Sequence, residues 1–240
     1  MNNWSWEEYK NWVANNSQNN YQFLYRGQAD SGWFLQPSLY RINPNINLNI
    51  YVDNIIPEIH NQLTSKGFEY YNLQDINSFN NFLAKLQHHG FPTPLLDWTY
   101  HPFIAVHFAL EEFSQTNSNL FSIYAFDYIK WITNNYQPID LLNPNQFVST
   151  FKPSNFNNPR LITQQSILTM TNVLNIEDYL NNASQGLTHP YLYKININRS
   201  EINIINADLF QMGITKEKLF PDLDNICSNL KNNFFPLLPL

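Results

Sequence analysis

The chain has 240 residues, 43% hydrophobic and 16% aromatic, enough to bury one core, since a large aromatic side chain removes roughly 150–250 Å² from water. A net charge of −6 with 13 lysines and arginines and no basic run excludes the electrostatic footprint of a duplex-binding protein, so duplex nucleic acid is not an expected partner. The single cysteine, Cys227, excludes an internal disulfide and a Cys-rich zinc site. No apolar run approaches the roughly 20 residues of a spanning helix, and no basic segment leads into an apolar one at the start, so a cytoplasmic protein without a membrane partner is expected.

Trp4, Tyr9, Trp12 and Val13 lie at near-helical spacing, and Ser5 stands three residues before Glu8 as a capping box. This predicts an opening helix within residues 1–20, ahead of a main domain over residues 21–240. Phe23-Leu-Tyr25 predicts a short buried strand that ends in Arg26-Gly27, where glycine permits the tight backbone that sends a side chain into a cleft. Residues 33–41 predict extended chain and turn, and residues 43–45 a loop.

Helical apolar spacing runs through residues 50–67 and 75–87, the second placing Phe79, Phe82, Leu83 and Leu86 on one face. Pro92 and Pro94 bar a continuing helix, so residues 95–98 predict a strand that carries Asp97 to an edge or cleft. Pro102 opens a further helix through Glu112. Residues 120–126, 191–197 and 202–205 predict strands; residues 207–212 predict a helix stopped by Gly213, and residues 221–230 a last helix. Without regular βα alternation, this order favours an α+β fold: a single mixed domain with a small central sheet or split sheets flanked by helices. No G-x-G-x-x-G, P-loop or G-x-S-x-G motif is present.

Arg26 follows a buried strand, so its guanidinium needs an oxygen partner. It either pairs with Asp97 and ties two strands, or clamps a phosphate or ribose with Tyr25, Gly27 and Gln28 beside it. His88 and His89 precede Gly90, so an imidazole leaves the helix end either as a structural hydrogen-bonding group or as part of a cluster with Thr93 and Asp97. His88, His89, His101 and His107 lack a tight ligand spacing, and no metal is expected. Asp97 stands between Leu96 and Trp98, where a carboxylate must be paired or bear the cost of desolvation. Trp98 either stacks a planar ring such as adenine or nicotinamide or packs in the core, and Thr99 caps the next helix. Arg160 to Thr169, with Gln164 and Gln165, reads as an amphipathic stretch whose alternate residues face either the site or solvent.

Tyr25-Arg26-Gly27, the Trp33-Phe-Leu-Gln-Pro-Ser-Leu-Tyr-Arg41 segment, the block from Gln87 to Thr99, and the following His101-Pro-Phe-Ile-Ala-Val-His-Phe-Ala109 together resemble the FRG family in order and content. Arg160 to Thr169 and Gly213 to Leu223 resemble its later motifs. Pro94 stands where the family usually has Arg, and Ser166 where Gly is common.

The family's aromatic-Arg-Gly strand is similar to the first motif of arginine-type ADP-ribosyltransferases, whose arginine binds NAD, and family members occur beside bacterial conflict and phage-defence genes. The resemblance therefore implies an NAD-dependent ADP-ribosyltransferase or NAD glycohydrolase, with NAD as substrate and a protein as one acceptor. Arg26, His88, Asp97 and Gln164 would be its catalytic residues, with Gln164 or Gln165 at the position of the transferases' glutamate and Asp97 supplying the negative charge. Tyr25, Arg26, Gly27, Gln28, Trp98 and Thr99 would hold NAD or an ADP-ribose-like nucleotide. Two other readings remain: a noncatalytic nucleotide-sensing or protein-interaction module, and a hydrolase or nuclease built on His88 and Asp97.

Overall fold

Ser5 and Glu8 close the capping box that the sequence suggests. Ser5 N donates to Glu8 Oε2 at 2.7 Å, and Glu8 N donates to Ser5 Oγ at 3.2 Å. In the computed structural model, which describes residues 3–16, 22–111, 116–153, 163–220, Cys227, Lys231 and Phe234, this box opens helix α1 (Trp6–Asn16) directly after the short strand β1 (Asn3–Trp4). Apart from Cys227, the helix expected over residues 221–230 lies outside the described residues, as does Arg160.

A seven-stranded mixed sheet runs in the order β1-β7-β4-β2-β3-β6-β5. Its other strands are β2 (Phe23–Gln28), β3 (Leu95–Thr99), β4 (Leu120–Asp127), β5 (Val148–Phe151), β6 (Ser166–Thr171) and β7 (Leu192–Asn198). β1 joins β7 in parallel, and the remaining pairs are antiparallel. The mixed α+β domain expected from the sequence is the fold observed.

Side chains alternate across each strand. Phe23 and Tyr25 of β2, with Phe121, Ile123 and Ala125 of β4, turn to one face and bury beneath α1, α6 (Pro102–Glu111) and α9 (Ile202–Gln211). Leu24, Trp98, Tyr124 and Phe126 turn to the other, against Trp131 of α7 (Tyr128–Asn134) and Ile176 and Leu180 of α8 (Ile176–Ala183).

A third apolar cluster sits beyond β3. There α5 (Ile76–His88), capped by the Asp75 side chain, sets Phe79, Phe82, Leu83 and Leu86 near Leu95, Leu168 and Met170. Each such side chain, once buried, contributes about 1.5–3 kcal/mol. Gly90 lies just beyond the end of α5 with φ +79°, a left-handed turn that glycine adopts without strain and that frees the chain to run on to β3.

Three segments depart from the sequence expectation. Within residues 33–41 the chain enters a short helix, α2 (Ser38–Ile42), whose Leu39 N–H is met by the Thr93 carbonyl at 3.2 Å. A long-range bond replaces the local cap that Pro37 cannot offer. The helix expected over residues 50–67 is α3 (Leu48–Ile50), a π-helical turn (Tyr51–Ile55) and α4 (Ile56–Ser65) in succession. Residues 202–205 open α9 instead of forming a strand: Ile205 and Leu209 are buried four residues apart while Ile204 is exposed, so the apolar run follows the helical period. The last helix among the described elements is α10 (Lys216–Leu219). No helix among the described residues is long and apolar enough to cross a membrane.

Candidate functional site

Gly27 occupies the point of closest approach between β2 and α6. A Cβ there would stand 1.9 Å from Ala105 O and 2.8 Å from Ala109 N. The bare Cα therefore serves helix packing, and the space expected for a ligand at Gly27 is filled by α6. Tyr25, one turn of the pleat earlier, is buried on the same face, and burial pushes its hydroxyl pKa well up.

Arg26 points the other way. It shares a face with Leu24 and Gln28 and stands opposite Tyr124 on β4. β2 pairs with β3 only at Tyr25↔Thr99. Just beyond that pair the Arg26 Nη1 donates to the main-chain carbonyl of Asp97 at 2.8 Å. A side-chain bond thus joins the two strands where their ladder has ended.

The Asp97 carboxylate does not lie between its apolar neighbours. Leu96 and Trp98 turn into the core beside Leu24, on the face from which Arg26 leaves β2, and the two-residue period of the strand puts Asp97 on the opposite face with Leu95 and Thr99, where its carboxylate is exposed. Its Oδ2 accepts from Gln87 Nε2 at 2.7 Å. Of the two options for Arg26, the structure shows a bond to the Asp97 backbone, while the carboxylate is held by Gln87.

Behind Gln87 stands Thr93, whose hydroxyl donates to Gln87 Oε1. The Thr93 N–H in turn donates to Ser38 Oγ at 3.1 Å. Ser38, Gln87, Thr93, Asp97 and Arg26, drawn from α2, α5, the loop before β3, β3 and β2, therefore form one connected set.

Other expected site residues lie elsewhere. Trp98 is 2% exposed, packs against Phe126 at 5.6 Å between ring centroids and donates its indole N–H to Thr169 Oγ1 at 2.9 Å. Such burial leaves no open ring face for stacking a nucleotide. The Thr99 hydroxyl accepts from His101 N at 3.0 Å and donates to the Gln164 carbonyl at 2.7 Å. The Gln164 side chain donates its Nε2 to the Leu219 carbonyl at 3.2 Å. Gln165 adopts φ +48° in the turn into β6. His88 is exposed at the end of α5, its ring 5.2 Å from that of His89; the neighbouring Gln87 reaches Asp97. Gln28 is buried; its Nε2 donates to Phe34 O at 3.2 Å, and its Oε1 is buried without a hydrogen-bond partner.

On the Arg26 face the structure also assembles side chains with no role in the sequence reading. Tyr124 donates to Glu177 Oε2 at 2.8 Å, and Lys194 Nζ lies 3.3 Å from the same oxygen. Burial raises the Tyr124 pKa, the Glu177 charge and hydrogen bond raise it further, and Arg26 opposes them. Glu177 lies in the ordinary first turn of α8, so no local pattern marks it. The sequence groups Thr93 with Asp97, and Gln87 could have been added, since it belongs to the same motif block. Among the described residues no group of three or more His, Cys, Asp or Glu side chains could hold a metal ion.

The model of the FRG domain matches residues 21–118, a stretch that contains the whole set from Arg26 to Asp97. No curated protein and no solved structure matches the chain.

Proposed function

From the premise that residues 21–118 are an FRG domain, we propose that the protein uses NAD, breaking the bond between nicotinamide and ribose and passing ADP-ribose to an acceptor or to water. One observation supports this reading: a guanidinium and a held carboxylate flank the point where β2 and β3 part, leaving their strands on opposite faces of the sheet, with Arg26 reaching across the gap to the backbone of the residue whose side chain Gln87 holds. The cation suits the diphosphate, for which planar, two-pronged donation is well shaped. The carboxylate suits the positive charge that grows on the ribose as the glycosidic bond stretches.

In the step, the electron pair of the C1′–N bond leaves with nicotinamide, which departs neutral. The nucleophile adds to C1′ and releases its proton to solvent. Arg26 binds and orients, and Asp97 stabilises the oxocarbenium-like ribose.

Purified protein incubated with NAD should release nicotinamide. Asp97→Asn keeps the shape of the side chain but not its charge, so turnover should fall about a hundredfold while calorimetric affinity for NAD is retained. Absence of nicotinamide release at millimolar NAD would overturn the reading. A noncatalytic nucleotide-sensing module is favoured instead by the placement of Gln164, committed to Leu219, and of His88, exposed at the end of α5. It predicts NAD binding without nicotinamide release.

A further inference from the structure

We infer that Gln87 is a positioning residue that fixes the orientation of the Asp97 side chain through a one-way chain of hydrogen bonds. The catalytic consequence rests on the NAD reading above, whereas the chain itself does not.

The direction of the chain follows from counting protons. Thr93 is completely buried, and its Oγ1 accepts from the Leu95 N–H at 3.4 Å. A hydroxyl carries a single proton, and here it is given to Gln87 Oε1. The amide of Gln87 is thereby oriented with its NH₂ toward Asp97 Oδ2, 2.7 Å away. An NH₂ group donates only and a carboxylate oxygen accepts, so the contact fixes the position of Oδ2. The far end of the chain is anchored in the fold, because Thr93 N–H donates to Ser38 Oγ and Thr93 O accepts from Leu39 N. With Oδ2 engaged, Oδ1 is the oxygen left to meet a ligand. A relay of this kind fixes the carboxylate without touching substrate itself.

Two measurements on the full chain test it. In protein labelled with ¹⁵N-glutamine, the Gln87 side-chain NH₂ signals are identified by their loss in Gln87→Glu. They should shift both in Asp97→Asn, at the acceptor, and in Thr93→Val, which removes the orienting proton, but should stay close to their wild-type position in Thr93→Ser. Asp97 is exposed, so its variant is expected to fold, and unchanged Gln87 signals in Asp97→Asn would overturn the relay whether or not the protein turns over NAD. If nicotinamide is released, Gln87→Glu should lower kcat at least about tenfold with little change in KM, since misorienting a reacting group costs rate more than binding. A change in KM alone, with kcat unaltered, would overturn the positioning role. Absence of turnover in the wild type would overturn the NAD reading while leaving the relay to be decided by the amide signals.

Discussion

The two flanks of β2 are built differently. Toward β4 the strand is paired over its whole length, from Phe23↔Asp127 to Gln28↔Ser122, and the same rows continue into β7 through Tyr124↔Lys194 and Ser122↔Asn196. Polar groups within those rows answer one another: Ser122 Oγ donates to Asn196 Oδ1 at 2.7 Å, and Tyr124 and Lys194 share Glu177. Toward β3 there is one paired position, and beyond it a guanidinium spans the gap. One strand thus supplies a fully paired edge on one side and a largely unpaired one on the other. A site set on regular elements keeps its geometry more closely than one carried by loops, and here the paired flank holds Arg26 steady at the unpaired one.

The largest break in this comparison is expected at Gly27. In Gly27→Ala the added methyl would meet the Ala105 carbonyl and the Ala109 N–H, both backbone, so strand and helix must separate. Overpacking typically costs about 1–3 kcal/mol, and because neither neighbour is a flexible side chain the upper end or loss of folding is expected. A thermal melt within a degree or two of wild type would show that α6 yields easily and that the frame is softer than its pairing suggests. Arg26→Ala should act mainly on the open flank: NAD affinity should fall by about 1.5–3 kcal/mol, the usual value of a charge-assisted hydrogen bond, with the paired flank left intact. Calorimetry checks the affinity and circular dichroism the fold; equal affinity in the variant would remove Arg26 from the ligand.

Much of this frame could be read from the amino acids. The strand at Arg26, the helix faced by Phe79, Phe82, Leu83 and Leu86, and the strand at Asp97 follow from period and from proline placement. The orientation of the site could not. Whether Arg26 and Asp97 meet through their charges depends on the register between β2 and β3, and a one-residue change of register turns each side chain to the opposite face. The role of Gln164 depends on Leu219, more than fifty residues away, and that of Glu177 on Tyr124. Such contacts are fixed by tertiary packing and leave no local spacing to read. Thr99 shows the same limit: the sequence points to it as the cap of the helix after β3, yet it lies two residues before the cap, where its hydroxyl accepts from His101 N and His101 takes that task.

The smallest predicted effect concerns that cap, which sets how α6 enters over Gly27. His101 Nδ1 accepts from Phe103 N at 3.3 Å, and its carbonyl receives the Ala105 N–H, so His101 sits at the N-cap of α6 with Pro102 as the first helical residue. Burial holds the His101 pKa below its usual 6.5, and a protonated ring could no longer accept the Phe103 N–H. Between the folded and unfolded pKa values the unfolded chain therefore binds more protons, so the contribution of this group to stability is present above about pH 6.5 and declines as pH falls below it. His107, also lowered by burial, acts in the same direction and remains in any His101 variant. His101→Asn supplies a capping side chain that does not titrate. At pH 7.5 its unfolding free energy in urea should match wild type to within about 0.5 kcal/mol, and at pH 5 it should be the more stable of the two. Equal losses in the two proteins between pH 7.5 and pH 5 would show that the acid sensitivity does not lie with the His101 cap.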